Sequence, residues 1–304
     1  MKVLLAVDGS QYSEATIGLA RALRIGKKAE MAIMNVIPEH VFLGGHTLAD
    51  LLGRSGVLKI QMQKAEEEKA SELLRKLSRS LAAPGREVET MIRRGSPANE
   101  ITKTSREMSA DLVLVGFKGT GDSPEFLLGS VANKVVRYAP CSVLVARGKI
   151  EAVKTVLVPL DGSKYSDETV QFLLRMPLPS RVEVLVMVVL QSFAATFVKA
   201  YTLDAERDRE IVAELQESEE EAAGRVLKEA EDELRNGRYR VSTILSRGDP
   251  SREILREAAQ RNVDVIALGA KGLTGVRGFL LGSVAQRVAR YAKSSVLIVR
   301  PPKR

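Results

Sequence analysis

The stretch "LGAKGLTGVRGFLLGS", Leu268 to Ser283, places glycines at Gly269, Gly272, Gly275, Gly278 and Gly282, the last directly before Ser283. Glycine costs a helix interior about 1 kcal/mol relative to alanine and gives a core nothing to pack, so this backbone is kept bare for another reason. Bare amides can approach anionic oxygens with no Cβ in the way. A helix N-terminus beginning near Ser283 would add unpaired N–H groups and a partial positive charge, both of which attract phosphate. Ser283 supplies a hydroxyl that can donate to a phosphate oxygen or cap the helix, and Lys271 and Arg277 supply cations. The chemistry these residues suit is the gripping of a polyphosphate.

The same apparatus occurs twice. A shift of 153 positions carries Asp8 onto Asp161 (161 minus 8), Arg94-Gly95-Ser96-Pro97 onto Arg247-Gly248-Asp249-Pro250, Asp111 onto Asp264, Gly116 onto Gly269, Gly129-Ser130 onto Gly282-Ser283, and Tyr138 onto Tyr291. A constant shift across these landmarks means two copies of one domain with no net insertion between them. The seam falls in the polar stretch "RGKIEAVK", which divides the 304 residues into expected domains 1–148 and 149–304.

Within the first copy, apolar runs at Val3–Val7, Met31–Ile37, Val88–Ile92, Leu112–Val115 and Val143–Val145 alternate with helical patterns at Ser13–Leu23, Lys59–Leu81, Pro97–Met108 and Ser130–Tyr138. Runs of Val, Ile and Leu without polar alternation suit strands of a parallel sheet buried on both faces. Pro97 and Pro250 fit the first turn of a helix, with Ser96 and Asp249 as expected N-caps. The strongly charged segment Asp204 to Arg235 reads as a helix with a solvated face. The expected fold class is α/β: two tandem, doubly wound, parallel five-stranded sheets, each in the order 3-2-1-4-5. In that order strand one ends at Asp8 or Asp161 and strand four at Gly116 or Gly269. Ligands bind beyond the carboxyl ends of the strands where strand order reverses, and there the glycine segments emerge.

Neither common phosphate fingerprint is present. No G-x-x-x-x-G-K-[ST] occurs, and the turn after strand one reads "DGSQYS". Instead, Gly269-x2-Gly272-x9-Gly282-Ser283 resembles the G-2x-G-9x-G-[S/T] signature of ATP-binding universal stress proteins, and Gly116-x2-Gly119-x9-Gly129-Ser130 repeats it. At glycine's usual frequency of roughly 7%, one chance match is on the order of one in a hundred; two at equivalent places exclude coincidence. The resemblance covers both halves and implies a fold of the adenine nucleotide alpha hydrolase-like type. It implies an ATP site in the second half formed by Pro159, Leu160, Asp161, Val189, Gly269, Lys271, Gly272, Arg277, Gly282, Ser283 and Val284. In the first half the matching positions are Ala6, Val7, Asp8, Val36, Gly116, Gly119, Gly129, Ser130 and Val131. The family's P-x-D at the end of strand one stands as Pro159-Leu160-Asp161, whereas Ala6-Val7-Asp8 keeps the acid and lacks the proline. The aspartate would face the nucleoside, and the backbone of Val36 or Val189 would meet adenine. On composition alone both valines read as core. The family also implies pairing of the fifth strands, "SVLVA" with "SVLIV", which would pack the halves as a pseudo-dimer and cover an exposed edge; a homodimer of tandems would need other surfaces.

The halves are not equal. The first loop, "KGTGDSPEF", carries Asp122, Pro124 and Glu125 where the second is apolar and basic. A carboxylate about 8 Å from a phosphate charge, at an effective dielectric near 40, costs roughly 1 kcal/mol per charge pair. The second site is therefore expected to bind ATP more tightly unless Mg²⁺ or Mn²⁺ bridges the like charges in the first.

Catalytic groups are scarce. His40 and His46 have no counterparts in the second half, and two histidines make a weak metal site. Cys141, the one cysteine, has no histidine nearby in sequence and reads as a small buried hydrophobe; one cysteine also forms no intrachain disulfide. Asp8 or Asp161 could orient a water, but with no arginine finger or second positioning group any ATP hydrolysis would be slow. An adenylating or nucleotidyl-transferring enzyme would ask for H-x-G-H or S-G-G-x-D-S, and neither is present. The leading expectation is a nucleotide-dependent regulatory protein read by an unknown protein partner. The alternatives are a slow ATPase or other nucleotide-consuming enzyme, or a partner-binding module with vestigial pockets.

Bulk composition fits this reading. Hydrophobic residues make up 45% and charged residues 28%, ordinary for a globular protein. The net charge of +8 comes from scattered Lys and Arg, and with no Trp and 4% aromatics a base-stacking platform for nucleic acid is not expected. No apolar run approaches the roughly 18 residues of a membrane span, and the N-terminal run stops at Asp8, too short for a secretory h-region. A cytoplasmic protein is expected.

Overall fold

The computed structural model describes residues 1–25, 29–39, 56–82, 87–119, 128–176, 178–179, 181–191, 209–273 and 281–301. The chain divides into two compact units, Met1–Glu151 and Ala152–Pro301. In the first, strands β1 (Lys2–Ala6), β2 (Glu30–Pro38), β3 (Val88–Gly95), β4 (Leu112–Gly116) and β5 (Ser142–Ala146) alternate with helices α1 (Gln11–Ala22), α2 (Gly56–Leu81), α3 (Pro97–Glu107) and α4 (Ser130–Tyr138). The second repeats the order with β6 (Thr155–Leu160), α5 (Lys164–Arg175), β7 (Glu183–Leu190), α6 (Arg209–Asn236), β8 (Arg240–Arg247), α7 (Pro250–Gln260), β9 (Val265–Gly269), α8 (Ser283–Tyr291) and β10 (Ser295–Val299). Pairing within the first unit is parallel in the order β3-β2-β1-β4-β5; within the second it is β8-β7-β6-β9-β10. Each matches the expected 3-2-1-4-5.

The core is built from the strands that carry no polar alternation. Val3, Leu4 and Leu5 of β1, Leu112, Val113 and Leu114 of β4, and Ala32, Ile33 and Met34 of β2 have no exposed surface. The flanking helices seal them with narrow stripes. Ala70, Leu74, Leu77 and Leu81 are the buried face of α2, and Ala223, Leu227, Ala230 and Leu234 are the same face of the charged helix α6. These are steps of four, three and four, the spacing of one helical face, and most of the charged residues of α6 are exposed, as expected.

Most boundaries differ from the sequence expectation by one to three residues, and two of the shifts have evident physical reasons. β3 runs on to Gly95, past Ile92, because its backbone continues to pair with β2 through Val36↔Arg93 and Pro38↔Gly95. As the outer strand of its unit it can hold Arg93 and Arg94 within the ladder, their side chains reaching solvent or partners. α1 begins at Gln11, two residues before Ser13, because the turn after β1 closes tightly on Gly9, whose φ of +82° is a left-handed conformation glycine adopts without strain.

The expected caps separate. Asp249 accepts from the Arg252 N–H at 2.9 Å at the start of α7, whereas Ser96 occupies the same position of α3 without a side-chain bond. Asp249→Ala is therefore expected to lower stability by about 1 kcal/mol and Ser96→Ala by less than about half that, a difference readable from the thermal unfolding midpoints. Equal shifts would contradict the assignment.

Candidate functional site

In each unit the aspartate at the end of the first strand is fastened before any ligand is considered. The Ser13 hydroxyl donates to Asp8 Oδ1 at 2.8 Å and accepts from the N–H groups of Asp8 (2.8 Å) and Gly9 (3.1 Å), while Ser10 N–H donates to the same Oδ1 at 3.0 Å. The second unit repeats this with Ser166, Asp161 and Ser163 at 2.7, 2.9 and 3.1 Å. Ser13 and Ser166 were missed as site residues, although their signal was available: "DGSQYS" and "DGSKYS" recur at the constant shift. With Oδ1 committed, the other carboxylate oxygen turns to the glycine loop. In the second unit Asp161 Oδ2 accepts from Leu273 N–H at 3.0 Å, tying the end of β6 to the loop after β9.

The glycines turn out to be bare chiefly because the protein itself presses against them. A Cβ on Gly116 would stand 2.7 Å from Tyr12 Cβ and 3.1 Å from the Tyr12 carbonyl oxygen, where α1 crosses the end of β4; Gly269 meets Tyr165 in the same way. A Cβ on Gly119 would lie 2.6 Å from Asp8 Oδ2, and one on Gly272 would run into Asp161 Oδ2. Gly129 fits under the loop, its N–H donating to the Phe117 carbonyl at 2.9 Å, and a Cβ there would lie 3.1 Å from both Lys118 Cα and that oxygen. Gly282 N–H donates likewise to the Ala270 carbonyl at 2.7 Å. The spacing of the motif thus brings strand one, strand four and the last helix into contact at one point.

That point opens onto a cavity of about 490 Å³ in the first unit. It lies in the range of roughly 300–1,000 Å³ usual for small-molecule sites. All nine positions expected for this half line it: Ala6, Val7, Asp8, Val36, Gly116, Gly119, Gly129, Ser130 and Val131. Gly129 is the N-cap of α4 and makes no side-chain bond there. Ser130 is therefore the first helical residue, and its hydroxyl is not the cap. Gly282 and Ser283 stand the same way at α8.

Sequence reading omitted several lining residues. Lys118, 9% exposed, occupies the position that Lys271 holds in the second half, so that lysine does not distinguish the two loops. Glu66, Lys69, Ala70 and Leu73 come from α2. Arg94 holds that helix in place, bonding Glu66 at 2.9 Å, Glu67 at 3.2 Å and the Gln63 carbonyl at 3.0 Å; the Glu66 carboxylate pushes its pKa further up. Arg247 of the second unit likewise pairs with a carboxylate of the long helix, Glu220 of α6. Asn35 completes the wall, 8% exposed, its Nδ2 donating to the Val7 carbonyl at 2.8 Å. Behind the loop Phe117 is buried against Tyr12, and the Arg147 guanidinium lies 3.3 Å from the center of the Phe117 ring, where burial lowers its pKa to about 10. At neutral pH it stays charged.

In the second unit Pro159 and Leu160 end β6 and Asp161 follows them, Val189 lies one strand over near the end of β7, Gly269 ends β9 with Lys271 and Gly272 just beyond it, and Gly282 precedes Ser283 and Val284 at the start of α8. Arg277 lies outside the described residues, as do Asp122, Pro124, Glu125, His40 and His46. Among the described residues no group of three or more His, Cys, Asp or Glu side chains could hold a metal, and no helix is long and apolar enough to cross a membrane. Cys141 is buried.

A doubly wound parallel sheet repeated in tandem, with an aspartate-anchored glycine loop leading into a helix in each half, defines the class of protein. The sequence model of the universal stress protein family matches residues 1–147 and again 152–300, and the chain belongs to that family. It is similar along its length to a universal stress protein of Mycolicibacterium smegmatis, 27% identical over 312 residues that take in 98% of this chain and 97% of that one. The universal stress protein YxiE of Bacillus subtilis is 32% identical over 149 residues, covering 48% of this chain and 98% of its own. Among solved structures, a universal stress protein from Archaeoglobus fulgidus shares the fold with a TM-score of 0.63 at 20% identity, covering 98% of both chains.

Proposed function

We propose that each unit binds ATP and that the protein acts as a nucleotide-dependent regulatory member of its family, the second unit being the tighter ATP site. The observation that carries this reading is the first-unit cavity, which gathers every position expected there and opens at a helix N-terminus where N–H groups remain for phosphate. The ranking rests on charge: Asp122 and Glu125 in the first loop oppose a polyphosphate, and Arg277 in the second favors it. Mg²⁺ or Mn²⁺ would enter with the triphosphate and draw ligands from its oxygens.

ATP at about a hundred times its dissociation constant is expected to stabilize the binding unit by about 2.7 kcal/mol, a rise of roughly 5–10 °C in unfolding midpoint for a domain of this size. Gly282→Val is expected to remove the larger part of the calorimetric heat and Gly129→Val the smaller part. Equal losses would refute the ranking. No thermal shift and no heat would leave a partner-binding module with vestigial pockets, and turnover of several ATP per second would identify an enzyme.

A further inference from the structure

Asn35 stands where the two halves differ in chemistry on the strand that borders the cavity. At the constant shift its counterpart is Val188. The residue is 8% exposed and lines the cavity wall, and the Val7 carbonyl, an acceptor only, fixes which way its carboxamide points: Nδ2 donates there at 2.8 Å. Its Oδ1 has no hydrogen-bond partner among the described residues. An acceptor left unpaired on the wall of a cavity can take a donor from whatever fills it.

The bond to Val7 also alters the sheet. In a parallel ladder alternate residues bond to the same neighbor. Val7 N–H donates to the Met34 carbonyl at 2.9 Å, so the next rung toward β1 would be Val36 N–H to the Val7 carbonyl. Asn35 Nδ2 takes that carbonyl instead, and the β1–β2 register ends at Ala6↔Met34. In the second unit, with valine at this position, the register runs one pair further, to Leu160↔Val188. A pair at that register engages the Val189 N–H with the Leu160 carbonyl.

We propose that Asn35 is a base-selecting residue of the first unit: it releases the Val36 N–H from the sheet and sets its own Oδ1 beside it, so that this unit, unlike the second, discriminates for a purine nucleoside with an exocyclic amino group. The inference rests on the proposed nucleotide site. A free donor beside an acceptor matches an edge that presents a ring nitrogen next to an amino group. Replacing that amino group by a carbonyl sets lone pair against lone pair, which is how buried polar sites reject a near-isostere. The second unit, lacking both features, depends on the polyphosphate. The ranking of the two sites is accordingly expected to invert when the phosphates are removed.

The test is calorimetric titration of the full chain with adenosine, inosine and ATP. Wild type is expected to bind one adenosine per chain, at least about tenfold more tightly than inosine, the value of one buried hydrogen bond. Asn35→Val is expected to lose that preference and at least about tenfold in adenosine affinity, with its unfolding midpoint recorded to show that it is folded. The reciprocal Val188→Asn, whose amide would take the Leu160 carbonyl from the Val189 N–H as Asn35 takes the Val7 carbonyl, is expected to add a second adenosine site. Adenosine affinity and preference unchanged in Asn35→Val, or no added site in Val188→Asn, would overturn the assignment of Asn35 while leaving ATP binding standing. Absence of heat from every nucleotide with wild type would overturn the nucleotide reading and this inference together.

Discussion

A single methyl group at Gly116 or Gly269 is expected to lower the unfolding midpoint of the half that carries it by roughly 3–10 °C, while the same methyl at Gly119 or Gly272 is expected to weaken ligand binding at least about tenfold at a smaller cost in midpoint. The contrast follows from what each Cβ would meet. At Gly116 the obstacles are Tyr12 Cβ at 2.7 Å and the Tyr12 carbonyl oxygen at 3.1 Å, both fixed to the first turn of α1. Relief requires the helix to move off the end of β4. Overpacking of that kind costs about 1–3 kcal/mol, and 1 kcal/mol shifts a domain of about 150 residues by roughly 2–4 °C. At Gly119 the near obstacle is the Asp8 Oδ2 atom, the far end of a side chain that can swing. Swinging it breaks the bonds to Ser10 N–H and the Ser13 hydroxyl and turns the carboxylate away from the cavity. The loss then appears as ATP affinity, at least about tenfold for a displaced charged hydrogen-bonding group. Scanning calorimetry paired with titration separates the two outcomes. A Gly116→Ala chain that melts like wild type would show that α1 yields freely and that this glycine is kept for the ligand.

This division of labor among the glycines shows where sequence reasoning succeeds. The constant shift, the apolar runs and the motif spacing all repeat along one dimension, so the fold order could be written down from them, whereas the nine cavity positions of the first half followed from the resemblance to the universal stress protein family. The reason for the glycines could not be written down from either. That Gly116 faces Tyr12, or Gly119 faces Asp8, depends on which elements meet after folding, more than a hundred residues apart in chain order. Asn35 was hidden for a related cause. A single polar residue inside an apolar strand reads as an irregularity, and only the end of the β1–β2 register, with the Val7 carbonyl beside it, gives the amide a task. Lys118 was legible, standing at the same shift as Lys271, so the lysine is common to both loops.

Replacing Asp161 by asparagine is expected to weaken ATP binding in the second unit about fivefold, although the change removes a negative charge from beside a polyphosphate. Two effects oppose each other. Loss of the charge reduces repulsion by roughly 0.5–1 kcal/mol for a solvent-facing pair about 8 Å apart at a dielectric between about 40 and 80. Against it stands the geometry of the carboxylate, which uses both oxygens as acceptors: Oδ1 for Ser163 N–H and the Ser166 hydroxyl, Oδ2 for Leu273 N–H. Asparagine has one acceptor oxygen. If that oxygen keeps the serines, its amide N–H groups face the Leu273 N–H, donor against donor, and the loop after β9 is released. Hydrogen bonds to a charged group contribute about 1.5–3 kcal/mol, so the bracket outweighs the repulsion by about 1 kcal/mol, close to a fivefold change. The released loop gives a second readout independent of affinity, since the Leu273 amide should exchange with solvent markedly faster in Asp161→Asn than in wild type. Tighter ATP binding with unaltered exchange at Leu273 would mean that the charge dominates and that the carboxylate does not hold the loop. The aspartate matters, on this account, less for what it offers the nucleotide than for the backbone it keeps in position to meet the phosphates.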